Sequence, residues 1–370
     1  MALTIIPYGE EHAPAVAAFN ERARSHDAPF SLSRSPVAAW LPKGEGRTLF
    51  REFFLALDGG EVRGGFTLRR QEFWLRGAVR AMANYQGPLS EGLWDRRHMM
   101  AGVQILRAAL REQPMLYALG MGGREQPLPK LLASAGWAIA EVPFRFKVLR
   151  PAAFLRNIRP LRRQPARARL LDLAAASGLG SLAVHAAQWW RTKRRLPAGS
   201  ACEPVTEYGA WADAVWTAAR NGYDFTAVRD RAAQNVLFGD GNPKNITLRC
   251  TRAGRDLGWA VVRSTPMSND QYFGDMRLGS LVDCLAVPGE EFTVVELATR
   301  HLRTLGSDLV ITNQTHARWL AALGDDGYFA GPSNFLFAAS PSLAEALGPL
   351  DAALPAIHFN RADGDGPIHL

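Results

Sequence analysis

Asp283 lies in the apolar run SLVDCLAV. A carboxylate among Leu, Val and Cys must find a partner or shift its pKa upward, and carboxylates of that kind cluster at functional sites. The plainer alternative is an outward-facing strand residue in contact with water. The nearby run ITNQTH brings Asn313, Thr315 and His316 within four positions, an amide, a hydroxyl and an imidazole suited to hydrogen bonding and proton transfer. For His316 the alternative is an ordinary surface loop. Cys284 follows Asp283, and strand alternation turns it the other way, towards a core, which disfavours it as a nucleophile. Cys202, Cys250 and Cys284 form neither a CxxC nor a Cys/His zinc spacing, so reduced thiols and no metal are expected. Asp363 and Asp365 alternate with tail glycines, but no EF-hand-length loop or terminal Glu follows, and a turn is expected there.

The cations are concentrated in one place. Of a formal net charge of +8 over 370 residues, the stretch from Pro151 to Ser200 carries ten Arg and Lys against Asp172 alone, a net +9 that leaves −1 for the remainder. A nucleic-acid-binding character for the folded halves therefore has little support. With 47% hydrophobic content the chain is apolar enough to bury a core in each of two domains. The start, MALTIIPYGEEHAPAV, has no basic-then-apolar leader pattern, and a cytoplasmic location is expected.

These residues must be positioned by elements that occur twice. LTIIPYG reads as a strand and AVAAFNERARS as an amphipathic helix; LFREFFLALDGG, EVRGGFTLRRQEFW and RGAVRAMANYQG read as an antiparallel meander with a turn at Gly59-Gly60. A helix through LWDRRHMMAGVQILRAALRE, the strand MLYALG, the helix PLPKLLASAG and the closing strand WAIAEVPFRFKVL complete the first half. The order returns at an offset of roughly 190 to 200 residues, as in an internal duplication. A helix between the fourth and fifth strands lets that pair run parallel.

This layout, with a Gly-plus-aromatic step after the last helix at Gly136-Trp137 and again at Gly327-Tyr328, resembles the GNAT N-acyltransferase fold. The resemblance implies an α/β (α+β) protein of two GNAT-like domains, each a mixed, mostly antiparallel sheet flanked by helices. The expected boundaries are 1–150 and 201–345 for the domains, 151–200 for a connector and 346–370 for a tail. It also implies an acyl-CoA co-substrate whose pantetheine lies where the fourth strand splays from the fifth. A Q/R-x-x-G-x-G/A turn at the next helix would hold the pyrophosphate on free backbone N–H groups. In the first half Arg96, Arg97, His98, Met99 and Ala101 fall on that turn, with the leading Arg and final small residue kept and Met99 in place of the first Gly. In the second, VPGEEFTVV offers Gly289 but sets Glu290 and Glu291 against a diphosphate.

By the same resemblance, Tyr85, Gln86, Ser90, Glu91 and His98 stand where acceptor deprotonation, oxyanion binding and thiolate protonation take place, near the loop Gly120 to Gly123. Glu91 reads either as a base or as a helix cap, and Tyr85 either as a functional phenol or as strand packing. Asn313 and His316 would face Asp283 across the second cleft. The expected activity is N-acyl transfer to an amine, such as an amino sugar or another envelope or polysaccharide precursor, small or lipid-linked. Tandem relatives of the mycothiol-synthase-like and Fem-like kinds commonly keep one working half, which leaves an aminoacyl-tRNA-dependent transferase and a non-catalytic ligand-binding protein as alternatives. The connector run LLDLAAASGLGSLAVHAAQWW, bracketed by RRQPARAR and RTKRR, reads as an interfacial segment at an anionic inner membrane face, as a helical hairpin packed on protein and broken at Gly178 to Gly180, or as a tRNA contact.

Overall fold

The computed structural model describes residues 3–28, 30–239 and 244–364. The first half runs β1 (Thr4–Pro7), α1 (Ala13–Ser25), β2 (Phe50–Asp58), β3 (Glu61–Leu75), β4 (Ala78–Ser90), α2 (Ala101–Glu112), β5 (Leu116–Leu119), α3 (Pro127–Ser134), β6 (Ala138–Glu141) and β7 (Phe144–Val148). Gly59 and Gly60, with φ of 56° and 88°, form the two-residue loop of the β2–β3 hairpin; such a turn needs positive φ at both positions, which glycine supplies without strain. The connector is helical: α4 (Pro151–Asn157), α5 (Pro165–Ala176) and α6 (Leu179–Arg191). The second half follows with β8 (Ser200–Val205), α7 (Ala210–Ala219), β9 (Phe225–Ala227), α8 (Arg231–Phe238), β10 (Asn245–Arg252), β11 (Arg255–Pro266), β12 (Arg277–Ala286), α9 (Glu291–Thr304), β13 (Leu309–Asn313), α10 (Ala317–Asp325), β14 (Phe329–Gly331) and β15 (Leu336–Ala339). Helices α11 (Pro341–Leu347) and α12 (Leu350–Ala353) and the short β16 (Ile357–His358) end the described chain.

The chain forms two compact units that do not coincide with the boundaries read from the sequence. One contains the chain up to Glu141 together with Asn334–Ala353; the other contains Val142–Ser333 and the chain from Leu354 on. The cause is strand exchange. In the first unit the strand order is β1-β2-β3-β4-β5-β15-β6, so a strand from the second half is inserted between β5 and β6. In the second the order is β14-β7-β13-β12-β11-β10-β8, with β7 from the first half between β13 and β14. The segment expected as one closing strand, WAIAEVPFRFKVL, is therefore two strands in two sheets, parted at Val142-Pro143, where proline removes a ladder donor. The connector likewise belongs to the second unit, where Phe154, Leu155 and Ala175 join Val148, Leu309 and Ile311 in one core.

The sheets are mixed, as the resemblance implies. Among the described residues the neighbours in these two strand orders are antiparallel except β4–β5 and β12–β13, which run parallel; off the first order, β16 also pairs with β9 in parallel. The β4–β5 and β12–β13 pairings are short, two residue pairs ending at Asn84 and three ending at Ser280, beyond which the strands diverge. A bulge lies just past each divergence: Gly87 and Pro88 together oppose the single Phe66 of β3, and Val282 is extra between Leu281 and Asp283 opposite β11.

Candidate functional site

Tyr85 is the first residue of β4 past its last partner on β5. It packs in the core of the first unit with Phe66, Ile105, Leu106 and Trp137, and its ring centroid lies 6.4 Å from that of Trp137. The hydroxyl of Tyr85 and the indole Nε1 of Trp137 are both buried without a hydrogen-bond partner among the described residues. Burial pushes the Tyr85 pKa above its ordinary value, so the phenol stays protonated. Trp137 reaches this position through Gly136, whose φ of 80° ends α3 and turns the chain into β6. Both donors therefore sit among apolar side chains of the first unit's core.

The turn that would take the pyrophosphate lies between β4 and α2. Arg96–His98 form a short 3₁₀ turn capped by the Asp95 side chain, which accepts from the Arg97 N–H at 2.9 Å. Arg97 is exposed, and its guanidinium pairs with Asp95 at 2.7 Å, holding that carboxyl down at about 2. Met99 is exposed, Ala101 is buried, and α2 begins after Met100 with no side-chain cap, leaving its first-turn N–H groups to other partners. Arg96 is exposed beside it, and His98 is half-buried.

Glu91 is neither a cap nor an available base. It is buried, and it accepts from Arg22 Nε at 2.9 Å and from Arg63 Nη1 at 2.8 Å. Burial alone would raise its pKa, but the hydrogen bonds from Arg63 and Arg22 outweigh that and hold the carboxyl below its usual range. The residue ties α1 to β3 and β4.

The corresponding features of the second unit are filled by the chain itself. Asp283, 1% exposed, accepts from Arg229 Nε at 3.0 Å, from Asn360 Nδ2 at 2.6 Å and from Trp259 Nε1 at 3.2 Å. Arg229 also donates to Asp363 at 2.6 Å, so one buried cation lies between two carboxylates. The segment that supplies Asn360 and Asp363 crosses from β12 to the end of β13. His358 Nε2 meets the Cys284 carbonyl at 2.9 Å, Thr315 donates to the Ile357 carbonyl at 2.6 Å and accepts from Phe359 N–H, and Arg361 donates to Asn313 Oδ1 at 2.9 Å. The splay of β12 from β13 is thus bridged by Ile357–Asp363. His316 is buried rather than on a surface loop: it caps α10 by accepting from the Arg318 N–H, and burial, with the Arg318 charge, pushes it down to about 4. Cys284 is buried, and burial raises its thiol pKa.

The start of α9 carries its own anions. Glu291 accepts from Gly289 N–H at 2.9 Å, and Glu290 accepts from Thr293 and pairs with Arg252. Two carboxylates occupy the position a phosphate would need. Asp283 and Asn313 are therefore both held by the Ile357–Asp363 segment, His316 is fixed separately at the start of α10, and Tyr85 and the turn at Arg96–Ala101 lie in the first unit. Arg229 and Asn360 were not singled out in the sequence; their only signal is that Asp283 must have partners, and those lie 54 and 77 residues away. Asp365 lies outside the described residues. Among those residues no group of three or more His, Cys, Asp or Glu side chains is placed to hold a metal ion.

No protein-family model and no curated protein matches the chain in sequence. Solved structures match it in fold. A GCN5-related N-acetyltransferase from Anabaena variabilis aligns over 93% of this chain and 74% of its own at a TM-score of 0.55 and 10% identity. A probable N-acyltransferase from Enterococcus faecalis aligns over 91% and 72% at 0.51 and 9% identity. Saccharomyces cerevisiae N-myristoyltransferase, crystallised with myristoyl-CoA and inhibitors, aligns over 91% and 79% at 0.51 and 10% identity. These matches cover about nine-tenths of the chain, and what they show is its fold: two mixed sheets flanked by helices, arranged as in these GNAT-like structures.

Proposed function

We propose that the protein is an acyl-CoA-dependent N-acyltransferase whose donor site lies in the first unit, between β4 and β5. The observation that carries this reading is the contrast between the two splays: the second is bridged by Ile357–Asp363, whereas the first presents the unpartnered hydroxyl of Tyr85 and indole of Trp137. An acyl-CoA supplies the acyl group already activated as a thioester. Past Asn84 no residue of β4 is paired to β5 among the described residues, and backbone N–H groups on such an edge are the kind of donor a thioester oxygen needs. As the amine nitrogen bonds to the acyl carbon and the C–S bond breaks, Tyr85, protonated throughout the physiological range, hydrogen-bonds the departing sulfur and relays to it the proton the amine gives up, ending as a phenol again. Arg96 and the uncapped first turn of α2 receive the pyrophosphate, and Arg97 joins them by exchanging Asp95 for a phosphate oxygen. The acceptor is an amine. A second reading, ligand binding without turnover, draws on the Asp95–Arg97 pair, which competes with phosphate for the turn.

Calorimetry with acetyl-CoA and longer acyl-CoAs tests the assignment. Binding is expected, with Arg96→Glu/Arg97→Glu weakening it by about tenfold or more, roughly 1.4 kcal/mol. Replacing Glu290 and Glu291 by Gln is expected to leave it unchanged. Unaltered affinity in the Arg96/Arg97 variant would move the donor site elsewhere, and binding without product from any amine would favour the second reading.

A further inference from the structure

Thirteen large apolar side chains are exposed among the described residues, and six of them lie on α5 and α6: Leu170, Leu173, Leu179, Leu182, Trp189 and Trp190, each between 65% and 85% exposed. The hairpin already buries one face. Leu171, Ala174, Ala175 and Val184 pack with Val148, Phe154 and Leu155 in the second unit. Its far end is fastened too: Lys193 N–H donates to the Asp325 carbonyl at 2.9 Å, and a Cβ at Gly327 would come within 2.7 Å of Thr192 Oγ1. This is a fixed element with a second apolar face, not a loose linker. A soluble monomer rarely exposes such a patch unless something covers it.

The charge around the patch says what covers it. Arg163, Arg167 and Arg169 precede or accompany the α5 leucines, and Arg191, Lys193, Arg194 and Arg195 follow the Trp pair. The single acid, Asp172, is already paired with Arg162 at 2.8 Å. At the foot of α5 an open cleft of about 480 Å³ is lined by Arg159, Arg162, Arg163 and Gln271. Helices α5 and α6 meet at 83° across Gly178, whose φ is 76°. No single described helix is long and apolar enough to cross a membrane; 12 or 13 residues reach about 20 Å, short of a hydrocarbon core of about 30 Å. A bent pair of short helices with leucines and tryptophans outward and arginines at the margin suits the interfacial layer, where indoles lie at headgroup depth and cations meet lipid phosphates.

We infer that α5–α6 is a membrane-docking hairpin that inserts its Leu and Trp side chains into the interface of an anionic bilayer without spanning it, with a lipid phosphate received in the Arg159–Arg163 cleft. Nucleic acid would use the cations but leave four leucines in water, so the apolar row selects lipid. The inference goes beyond the donor-site assignment and stands apart from it, because its test reads binding rather than turnover.

The test is co-sedimentation of the full chain with vesicles of phosphatidylcholine containing about a third phosphatidylglycerol, against phosphatidylcholine alone. Binding to the anionic vesicles is expected at low salt and is expected to weaken as salt is raised. Trp189→Ser/Trp190→Ser changes only exposed side chains and should cut the partition coefficient roughly tenfold or more while leaving circular dichroism unchanged. Arg163→Ser should weaken binding to phosphatidylglycerol vesicles and leave the apolar contribution intact. Failure of the wild-type chain to sediment with anionic vesicles at low salt overturns the inference. So does salt-sensitive binding to an RNA duplex that matches vesicle binding and is indifferent to the Trp variant, which would make the connector a nucleic-acid contact. Competition by free glycerol phosphate, with no dependence on the Trp pair, would reduce the cleft to a soluble-phosphate site and also overturn it.

Discussion

Tyr85 and Asp283 both stand on the fourth strand of their half beyond the last residue paired to the fifth, Asn84 and Ser280 respectively, yet Asp283 is saturated with partners and the Tyr85 hydroxyl has none among the described residues. A buried hydroxyl that makes no hydrogen bond costs roughly 1–3 kcal/mol. Tyr85→Phe is therefore expected to raise thermal stability by about 1 kcal/mol while lowering turnover about a hundredfold, the usual scale for a lost proton donor. Melting curves and single-turnover rates on the same preparation check both halves of that expectation. A destabilised variant with full activity would show that the phenol is ordinary packing. The sequence makes it legible that Asp283 must be paired, because no carboxylate stays charged unaided among Leu, Val and Cys. It does not show that the partners are Arg229, Trp259 and Asn360, since nothing local marks residues so distant as neighbours. His316 illustrates the same limit: a polar loop composition suggests exposure, while burial and the cap on α10 follow from packing against Tyr223, whose ring lies 4.8 Å away.

At the scale of elements, hairpins and helix order are local properties and were readable from the repeated meander and from Gly59-Gly60. Pairing beyond neighbouring strands is not local. Pro143 and Pro332 break the closing segment of each half, and only the sheets decide that the pieces on either side go to different partners. The segment Ile357–Asp363, read as tail, turns out to hold β12 and β13 together through Asn360, Asp363 and Arg361. Removing one acid from that network leaves Arg229, a fully buried guanidinium, with half its neutralising charge. Asp363→Asn is expected to destabilise the protein by about 3 kcal/mol, at the lower end for a broken buried ion pair because Asp283 remains. Urea denaturation measures this; a loss below half a kcal/mol would mean the network is not closed in solution.

For the molecule as a whole, charge and layout were the most legible features. The +9 of the connector is visible in the sequence, and so is the repeated order of strands and helices. The domain boundaries were not, because exchange of β7 and β15 makes each unit discontinuous in sequence. A fragment ending at Ser200 would contain β5 and β6 without the strand that joins them, and β7 without β13 or β14. Such edges are templates for association. The fragment is expected to aggregate, and co-expression with the remainder is expected to restore soluble protein, as gel filtration would show. A monomeric fragment with a cooperative melt would mean the first unit closes without β15.

The same exchange has a consequence for how the protein is made. Between the end of β6 at Glu141 and the start of β15 at Leu336, translation at about 5–20 residues per second takes roughly 10–40 s. During that interval the nascent first sheet has two strands waiting for a third, and the ribosome has still to deliver it. A chain built in this way depends on whatever shields its growing edges until synthesis is nearly complete, and its yield in a cell should respond to chaperone supply and to elongation rate more than its equilibrium stability would suggest.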